Sequence, residues 1–250
     1  MITKAQIKQI SSYKINKYRN VDNVFVVEGE KMVSQAMSSN YDIINICATK
    51  QWIDNQDFNS INQYNLIEVS EDELKRISSL TTPNNVLAVL KQKNITEIIP
   101  NNNLILMLDD INNPGNLGTI IRIAVWFGIK DIVCSNNTVD VFNPKTLQAS
   151  MGAIFHANVM YCDIISFLEK NKKKNIYGTV LKGGKNIYEE NLSCDGIIII
   201  GNESHGIRDE VKPFIDHPLT IPTFSSSKDV ESLNASIATA IVVSEFKRRQ

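Results

Sequence analysis

Short apolar runs alternate with amphipathic stretches over the first hundred residues of the chain. The runs are VFVVEG (24–29), IINICA (43–48), LIEVS (66–70) and NVLAVLKQ (85–92). This alternation of strand-like and helix-like segments is typical of a small α/β domain. Ser70 and Glu73 form a capping box, in which each side chain accepts from the other residue's free backbone N–H. The box predicts a helix that begins at residue 71.

The apolar runs become more continuous after residue 103. They are LILMLDD (104–110), DIVCS (131–135), NIYGTVL (175–181), GIIIIG (196–201) and PLTIP (218–222). Helical patterns lie between them, and continuous apolar strands indicate a sheet that is covered on both faces. We therefore predict a second α/β domain with a mostly parallel sheet and a ligand at the carboxyl ends of its strands. The predicted division is a domain over 1–95, a linker over 96–103 and a domain over 104–250.

The composition narrows the class of protein. The 250 residues are 43% hydrophobic and 21% charged, and the chain shows neither a membrane span nor a signal peptide, so we expect a cytoplasmic globular protein. Its net charge of -1 gives no general sign of nucleic-acid binding. Residues 1–20 carry only basic charges, which fits a solvated helix at least as well as an RNA contact. The cysteines and histidines lack the spacing of a metal site, so we expect reduced thiols and no metal.

The loop NNPGNLG (112–118) follows the first strand of the second domain and opens a helix. The predicted buried stripe of that helix consists of Ile120, Ile123, Ala124 and Phe127. Arg122 lies off this stripe, where an arginine is more often a solvated residue than a functional one. A nucleotide-dependent oxidoreductase is disfavoured, because the loop lacks the G-x-G-x-x-G pattern and the next strand ends in Ser135 rather than in an acidic residue.

Two later loops also follow predicted strands. IIIIGNESHGI (197–207) places Glu203 at a strand end, where its carboxylate could orient a polar substrate, while His205 is interpreted as a turn residue. The segment from 221 to 249 joins a strand to the last helix, for which Ser232 is the predicted N-cap.

The three loops together resemble the SpoU-like (TrmH-type) branch of the SPOUT superfamily, the RNA ribose 2'-O-methyltransferases. That family carries an asparagine with an arginine six residues later, then a G-N-E turn, then I-P followed by S-L-N. The matching residues are Asn116 with Arg122, Gly201 to Glu203, Ile221 with Pro222, and Ser232, Leu233 and Asn234. The resemblance covers about residues 104–250, and the first domain is similar, more loosely, to a ribosomal-protein-like RNA-binding domain.

The resemblance implies a sheet whose C-terminal segment threads a deep trefoil knot, and a homodimer whose active site draws on both subunits. It implies S-adenosyl-L-methionine as the methyl donor, held by Gly201, Ile221 and Leu233. The implied catalytic and positioning residues are Asn116, Arg122, Glu203, Ser232 and Asn234. Ribosomal RNA is the expected substrate. The alternatives are a transfer RNA methyltransferase and a non-catalytic RNA-binding protein that keeps the fold.

A ribose hydroxyl is a poor nucleophile, so its methylation requires in-line positioning and removal of its proton. The resemblance implies that Arg122 activates this hydroxyl, either as a base after desolvation or as a fixed cation that stabilises the alkoxide or holds a phosphate. The chain departs from the family pattern at three places: a longer segment over 223–231, Val125 in place of an acidic residue, and Gln148 in place of an arginine. The last change removes a positive charge that could contact RNA.

Overall fold

The computed structural model describes residues 2–225 and 232–248, and the chain forms two compact units. The first unit comprises Met1–Lys93 and Phe142–Phe155, and the second comprises Asn94–Val141 and His156–Gln250. Segment 142–155, which the sequence analysis assigned to the second domain, is therefore grouped by its contacts with the first unit. The predicted boundaries of the functional domains stay a prediction.

The helices and strands follow one another in an α/β order. Up to residue 93 they are α1 (Lys4–Ser12), α2 (Asn16–Asp22), β1 (Val24–Glu28), α3 (Glu30–Met37), β2 (Ile43–Ala48), α4 (Lys50–Asp54), α5 (Phe58–Ile61), β3 (Leu66–Glu68), α6 (Glu71–Ile77) and β4 (Val86–Lys91). Beyond it they are β5 (Leu104–Leu108), α7 (Pro114–Trp126), β6 (Asp131–Ser135), α8 (Pro144–Ser150), β7 (Asn158–Cys162), α9 (Ile164–Lys170), β8 (Ile176–Thr179), β9 (Lys185–Asn186), β10 (Gly196–Ile200), β11 (His217–Thr220) and α10 (Ala235–Arg248).

The first unit is built on a four-stranded sheet in the order β1-β4-β2-β3. Strand β4 is antiparallel to both of its neighbours, while β2 and β3 are parallel. Leu87 and Val89 of β4 share a buried core with Leu74 and Ile77 of α6. Helix α6 begins at Glu71 behind the Ser70–Glu73 capping box, which confirms the prediction for this helix.

The second unit contains a seven-stranded parallel sheet in the order β7-β6-β5-β10-β8-β11-β9. Strands β5 and β10 are buried at every position, as their continuous apolar sequences predict. Two strands were not predicted from the sequence: β7, which is only partly buried, and β9, which has two residues. Because the strands are parallel, the loops that follow them lie at one edge of the sheet.

The buried face of α7 differs from the predicted stripe. Leu117, Ile120, Ile121 and Ala124 are buried, whereas Ile123 and Phe127 are only half-buried. The stripe is displaced because α7 packs against α10. In the ranges described, no helix combines the length and the apolarity needed to cross a bilayer.

Candidate active site

Side chains from the three sequence motifs meet in one hydrogen-bonded chain within the second unit. The amide of Asn116 donates from Nδ2 to Oε1 of Glu203, 87 residues away. Asn234 donates from Nδ2 to Oδ1 of Asn116 over 3.0 Å, across a separation of 118 residues. Asn116 therefore links the other two residues, one through each atom of its amide. The structure brings together three of the five catalytic residues that the resemblance implies.

The start of α7 fixes the position of Asn116. Oδ1 of Asn113 accepts from the backbone N–H groups of Gly115 at 2.8 Å and Asn116 at 3.2 Å, so Asn113 caps the helix. Pro114 occupies the first helical turn, where its missing N–H costs no hydrogen bond. The sequence NNPGN therefore begins the helix abruptly and holds the Asn116 side chain in its first turn.

The G-N-E turn after β10 carries Glu203. Backbone bonds of 3.1 and 2.9 Å join Asn202 to Gly206, and Nδ2 of Asn202 donates to the carbonyl of Asp110 over 2.7 Å. A Cβ on Gly201 would lie 2.3 Å from the backbone of Gly206 and Ile207, so this close turn requires glycine. His205 is exposed in the turn, in agreement with its interpretation as a turn residue.

An ion pair that the sequence analysis missed connects the loops after β5 and β10. Asp109 is fully buried, and its carboxylate accepts from the backbone N–H of Arg208 at 2.8 Å and from Nε at 2.6 Å. Burial alone would lower the pKa of the Arg208 guanidinium, but the hydrogen bond and charge of Asp109 raise that pKa above its ordinary value. The carboxylate directly after a buried strand is the sequence signal that could have indicated this pair.

Asn234, rather than Ser232, caps the last helix. Helix α10 begins at Ala235, and Oδ1 of Asn234 accepts from the backbone N–H of Ser236 at 3.0 Å and from its hydroxyl at 2.6 Å. The prediction of Ser232 as the N-cap is wrong, because the helix starts two residues later than that role requires. Ser232 itself is exposed. The cap leaves Nδ2 of Asn234 available to bond Asn116.

Arg122 does not join the Asn116–Glu203–Asn234 cluster. Six residues along an α-helix correspond to about 9 Å of rise and about 120° of net rotation, so Arg122 and Asn116 lie on different faces of α7. The Arg122 side chain is exposed, and it makes no hydrogen bond or ion pair with the residues that the structure describes. Trp126, one helical turn further on, is 83% exposed.

Comparison with known proteins identifies the family. The model of the SpoU rRNA Methylase family matches residues 103–244, and the model of the MRM3-like substrate binding domain matches residues 4–88. The chain belongs to the SpoU rRNA methylase family. This finding confirms the family resemblance that the three loop motifs indicated.

Relatives match this family member over nearly its whole length. The 23S rRNA (guanosine(2553)-2'-O)-methyltransferase RlmP of Bacillus subtilis is 30% identical over 240 residues, which cover 95% of this chain and 94% of the relative. A solved TrmH-family structure from Porphyromonas gingivalis has 34% identity and a TM-score of 0.89, with both chains fully covered. The AdoMet-bound rRNA methyltransferase from Sinorhizobium meliloti has 25% identity and a TM-score of 0.89, covering 100% of this chain and 96% of its own.

The residues expected to hold the methyl donor lie at the carboxyl edge of the sheet. Gly201 follows β10, Ile221 follows β11, and strand β8 lies between these two strands. Leu233, just before α10, is 43% exposed. Most of the predicted longer segment 223–231 falls outside the described residues, which resume at residue 232.

A glycine-rich loop, 181–184, follows β8 at the same edge and was not predicted from the sequence. A Cβ on Gly184 would lie 2.6 Å from Oγ1 of Thr220 and 2.8 Å from the carbonyl carbon of Leu219. Leu181, at the start of the loop, is 64% exposed. The loop therefore lies close to the end of β11, the strand that Ile221 follows. A pair of glycines after a strand is the signal that could have found the loop.

The structure agrees with the expectation of reduced cysteines. All four cysteines are free thiols; Cys47 and Cys134 are buried, and Cys194 is exposed. Burial raises the pKa of the Cys47 thiol to about 12. Among the residues that the structure describes, no group of three or more His, Cys, Asp or Glu side chains could hold a metal ion.

Proposed function

We propose that this protein transfers the methyl group of S-adenosyl-L-methionine to a ribose 2'-hydroxyl of ribosomal RNA. The observation that carries the proposal is the hydrogen-bonded chain from Asn234 through Asn116 to Glu203, which unites the three family motifs in one site. The relatives named as 23S rRNA methyltransferases support ribosomal RNA as the substrate. A match to a substrate-binding domain over residues 4–88 supports an RNA-binding role for the first unit. The similarity to a bacterial rRNA methyltransferase supports a cytoplasmic location.

The carboxyl edge of the second sheet fits the proposed donor. S-adenosyl-L-methionine supplies an electrophilic methyl group when it is bound. Gly201 and Gly184 both lie where a Cβ would clash with backbone or strand-end atoms, so the two loops keep close turns at this edge that only glycine allows. Leu181 and Leu233 offer partly exposed apolar surface for a flat adenine. We assign donor binding to Gly201, Ile221 and Leu233, and add the loop 181–184.

The Asn116–Glu203–Asn234 cluster positions the ribose. One oxygen of Glu203 accepts from Asn116, and the other can accept a hydrogen bond from a ribose hydroxyl. Asn116 is itself held at both ends of its amide, so the carboxylate keeps a fixed orientation and loses little entropy when the substrate binds. Ser232 and Asn234, at the start of α10, complete the proposed substrate-positioning set.

We assign Arg122 the role of activating the 2'-hydroxyl. Its guanidinium can stabilise the developing alkoxide and hold the adjacent phosphate through its fork of donors. A base role requires desolvation, and in the single chain the side chain is exposed. The exposure favours the fixed-cation role over the base role.

A homodimer would bring Arg122 to the cluster. Within one chain Arg122 and Asn116 face different directions on α7, so a shared site needs Arg122 from a second copy. Trp126 on α7 is 83% exposed and Ile237 on α10 is 52% exposed, and such apolar side chains favour a covered interface. We propose a homodimer through these two helices. The trefoil knot that the resemblance implies stays a prediction.

Three measurements test the proposed function. Calorimetry should show that the purified protein binds S-adenosyl-L-methionine, and tritium from the donor should appear in ribosomal RNA. Mapping of ribose methylation in cells with and without the protein should then identify one missing 2'-O-methyl group. Donor binding without transfer would support the non-catalytic alternative instead. Label confined to transfer RNA would replace ribosomal RNA as the substrate.

A further inference from the structure

A pocket lies in the first unit, in the part of the molecule that the proposed catalytic site does not use. The carboxyl end of β1, the loop 79–85 and helix α8 surround it. Its cavity volume is about 370 Å³, which accommodates a nucleobase with its ribose. Gly29 is buried at its base with φ +92°, and a Cβ there would lie 3.0 Å from Nδ2 of Asn84. Glycine therefore keeps the pocket open.

Two amide side chains in the lining of this pocket are free to bond a ligand. Asn84 and Gln148 both line it, and their side chains form no hydrogen bond with any residue in the described ranges. The Glu28 carboxylate is occupied by the hydroxyls of Ser78 and Ser79 and by the backbone N–H of Ser79 at 2.8 Å. An amide offers donors and acceptors side by side, which is the pattern needed to bond the edge of a base.

The apolar part of the lining suits a flat ring. Leu147 and Met32 are buried in the wall, and Met151 is 42% exposed at its edge. Met151 has a left-handed backbone, with φ 51°, at the end of α8. Thioether groups make favourable contacts with aromatic rings and adapt to their shape.

The charge of the lining selects a base over a phosphate. Glu28 and Glu30 outnumber the single cation, Lys31, so the pocket repels an anion. Gln148 contributes a neutral amide to the lining. A neutral ring with N–H donors matches both the amides and the remaining carboxylate of Glu30.

We propose that this pocket binds an unpaired nucleobase of the RNA substrate, other than the base of the nucleotide that is methylated. The proposal rests on the RNA methyltransferase function and deepens it, because it makes the first unit a reader of a specific unpaired base. Asn84 and Gln148 bond the edge of the base, and Met32, Leu147 and Met151 contact its face.

Crosslinking tests the pocket without requiring turnover. The probe is 23S ribosomal RNA transcribed in vitro with 4-thiouridine, irradiated on the purified protein and mapped by mass spectrometry. We expect crosslinked peptides that contain residues 79–85 or 144–151. Crosslinks that map only outside both segments would overturn the proposal. If the wild-type protein crosslinks in these segments but transfers no methyl group, the proposed function is refuted and the proposal of base binding in the pocket is not.

Kinetics of a paired variant provide the second readout. Asn84→Ala with Gln148→Ala should raise the KM for RNA about tenfold, the loss expected for one or two neutral hydrogen bonds, with kcat and donor affinity unchanged. The control is Gln51→Ala with Asn62→Ala, two exposed amides of the first unit outside the pocket. All four residues are exposed, so the variants should fold. A KM equal to that of the control pair would contradict base binding.

Discussion

Arg122 is exposed and unpaired within the described ranges, so its substitution tests chemistry with little effect on stability. We expect Arg122→Ala to lower kcat for methyl transfer by about 10²- to 10³-fold, the usual cost of removing one group that stabilises a developing oxyanion. The melting temperature and the donor affinity should stay at wild-type values. Tritium transfer under saturating donor measures the effect.

Arg122→Lys separates the two roles of the arginine by pH. A fixed cation predicts partial activity that falls as the lysine loses its proton near pH ~10.4, whereas a base predicts activity that rises over the same range. Wild-type rates in both Arg122 variants would remove this residue from the mechanism.

The hydrogen bond from Asn116 to Glu203 can also be tested by substitution. Asn116→Asp removes the N–H that Glu203 accepts and places two carboxylates in contact. Like charges raise the carboxyl pKa values, so we expect low activity at pH 8 that partly returns as the pH falls and one carboxyl group takes up a proton. Adding Glu203→Gln should restore positioning, since the new amide can donate to the carboxylate. The matched control, Asn101→Asp, changes an exposed residue before β5, at the opposite edge of the sheet, and should keep wild-type activity.

At the scale of elements, the parallel neighbours β5 and β10 determine how the site is assembled. The loops after these two strands emerge side by side, and the Asp109–Arg208 pair ties them together under the G-N-E turn. Asn202 adds a second tie through the carbonyl of Asp110. The position of Glu203 therefore depends on contacts between loops as well as on its own turn.

Arg208→Ala leaves the fully buried Asp109 carboxylate without its ionic partner. We expect a loss of about 2–3 kcal/mol in the free energy of unfolding, below the value for wholly buried pairs because the Arg208 side chain is 24% exposed. The control is Lys174→Ala, which breaks an ion pair outside these loops, between Lys174 Nζ and Asp195 Oδ2 at 2.9 Å. Its loss should cost about 1 kcal/mol or less. Urea unfolding measures both. Equal losses in the free energy of unfolding would show that the Asp109–Arg208 pair stabilises the fold no more than the Lys174–Asp195 pair does.

At the scale of the whole molecule, the exposed face of α7 carries the proposed dimer. Trp126→Asp should convert the protein to a monomer, because a carboxylate cannot be buried at an apolar interface without a partner. Light scattering after size exclusion measures the mass, and methyl transfer should be lost with the dimer. Val21→Asp is the control, since Val21 is 73% exposed in the first unit. A wild-type protein that is active as a monomer would contradict the shared site.

Mixing two inactive variants tests whether the site is shared between subunits. Arg122→Ala subunits combined with Asn116→Asp subunits should regain about a quarter of wild-type activity, since half of the dimers are mixed and each has one intact site. If methyl-transfer activity does not recover after subunit exchange, both residues belong to a site within one chain.

The sequence alone determined the features that depend on local pattern. Continuous apolar runs predicted β5 and β10, the Ser70–Glu73 box predicted the start of α6, and the spaced motifs indicated the family. These signals are local because strand burial, helix capping and loop composition are visible in neighbouring residues.

Only the tertiary structure decided which side chains meet. The bonds of Asn116 to Glu203 and Asn234 span 87 and 118 residues, and the Asp109–Arg208 contact spans 99. These contacts follow from the strand order, in which β10 lies beside β5 although β6 to β9 separate them along the chain. The buried stripe of α7 and the cap of α10 were mispredicted because both depend on tertiary contacts. Packing between α7 and α10 selects the buried face of α7, and Asn234 both caps α10 and bonds Asn116. Local periodicity carries no information about neighbours that only the sheet brings together.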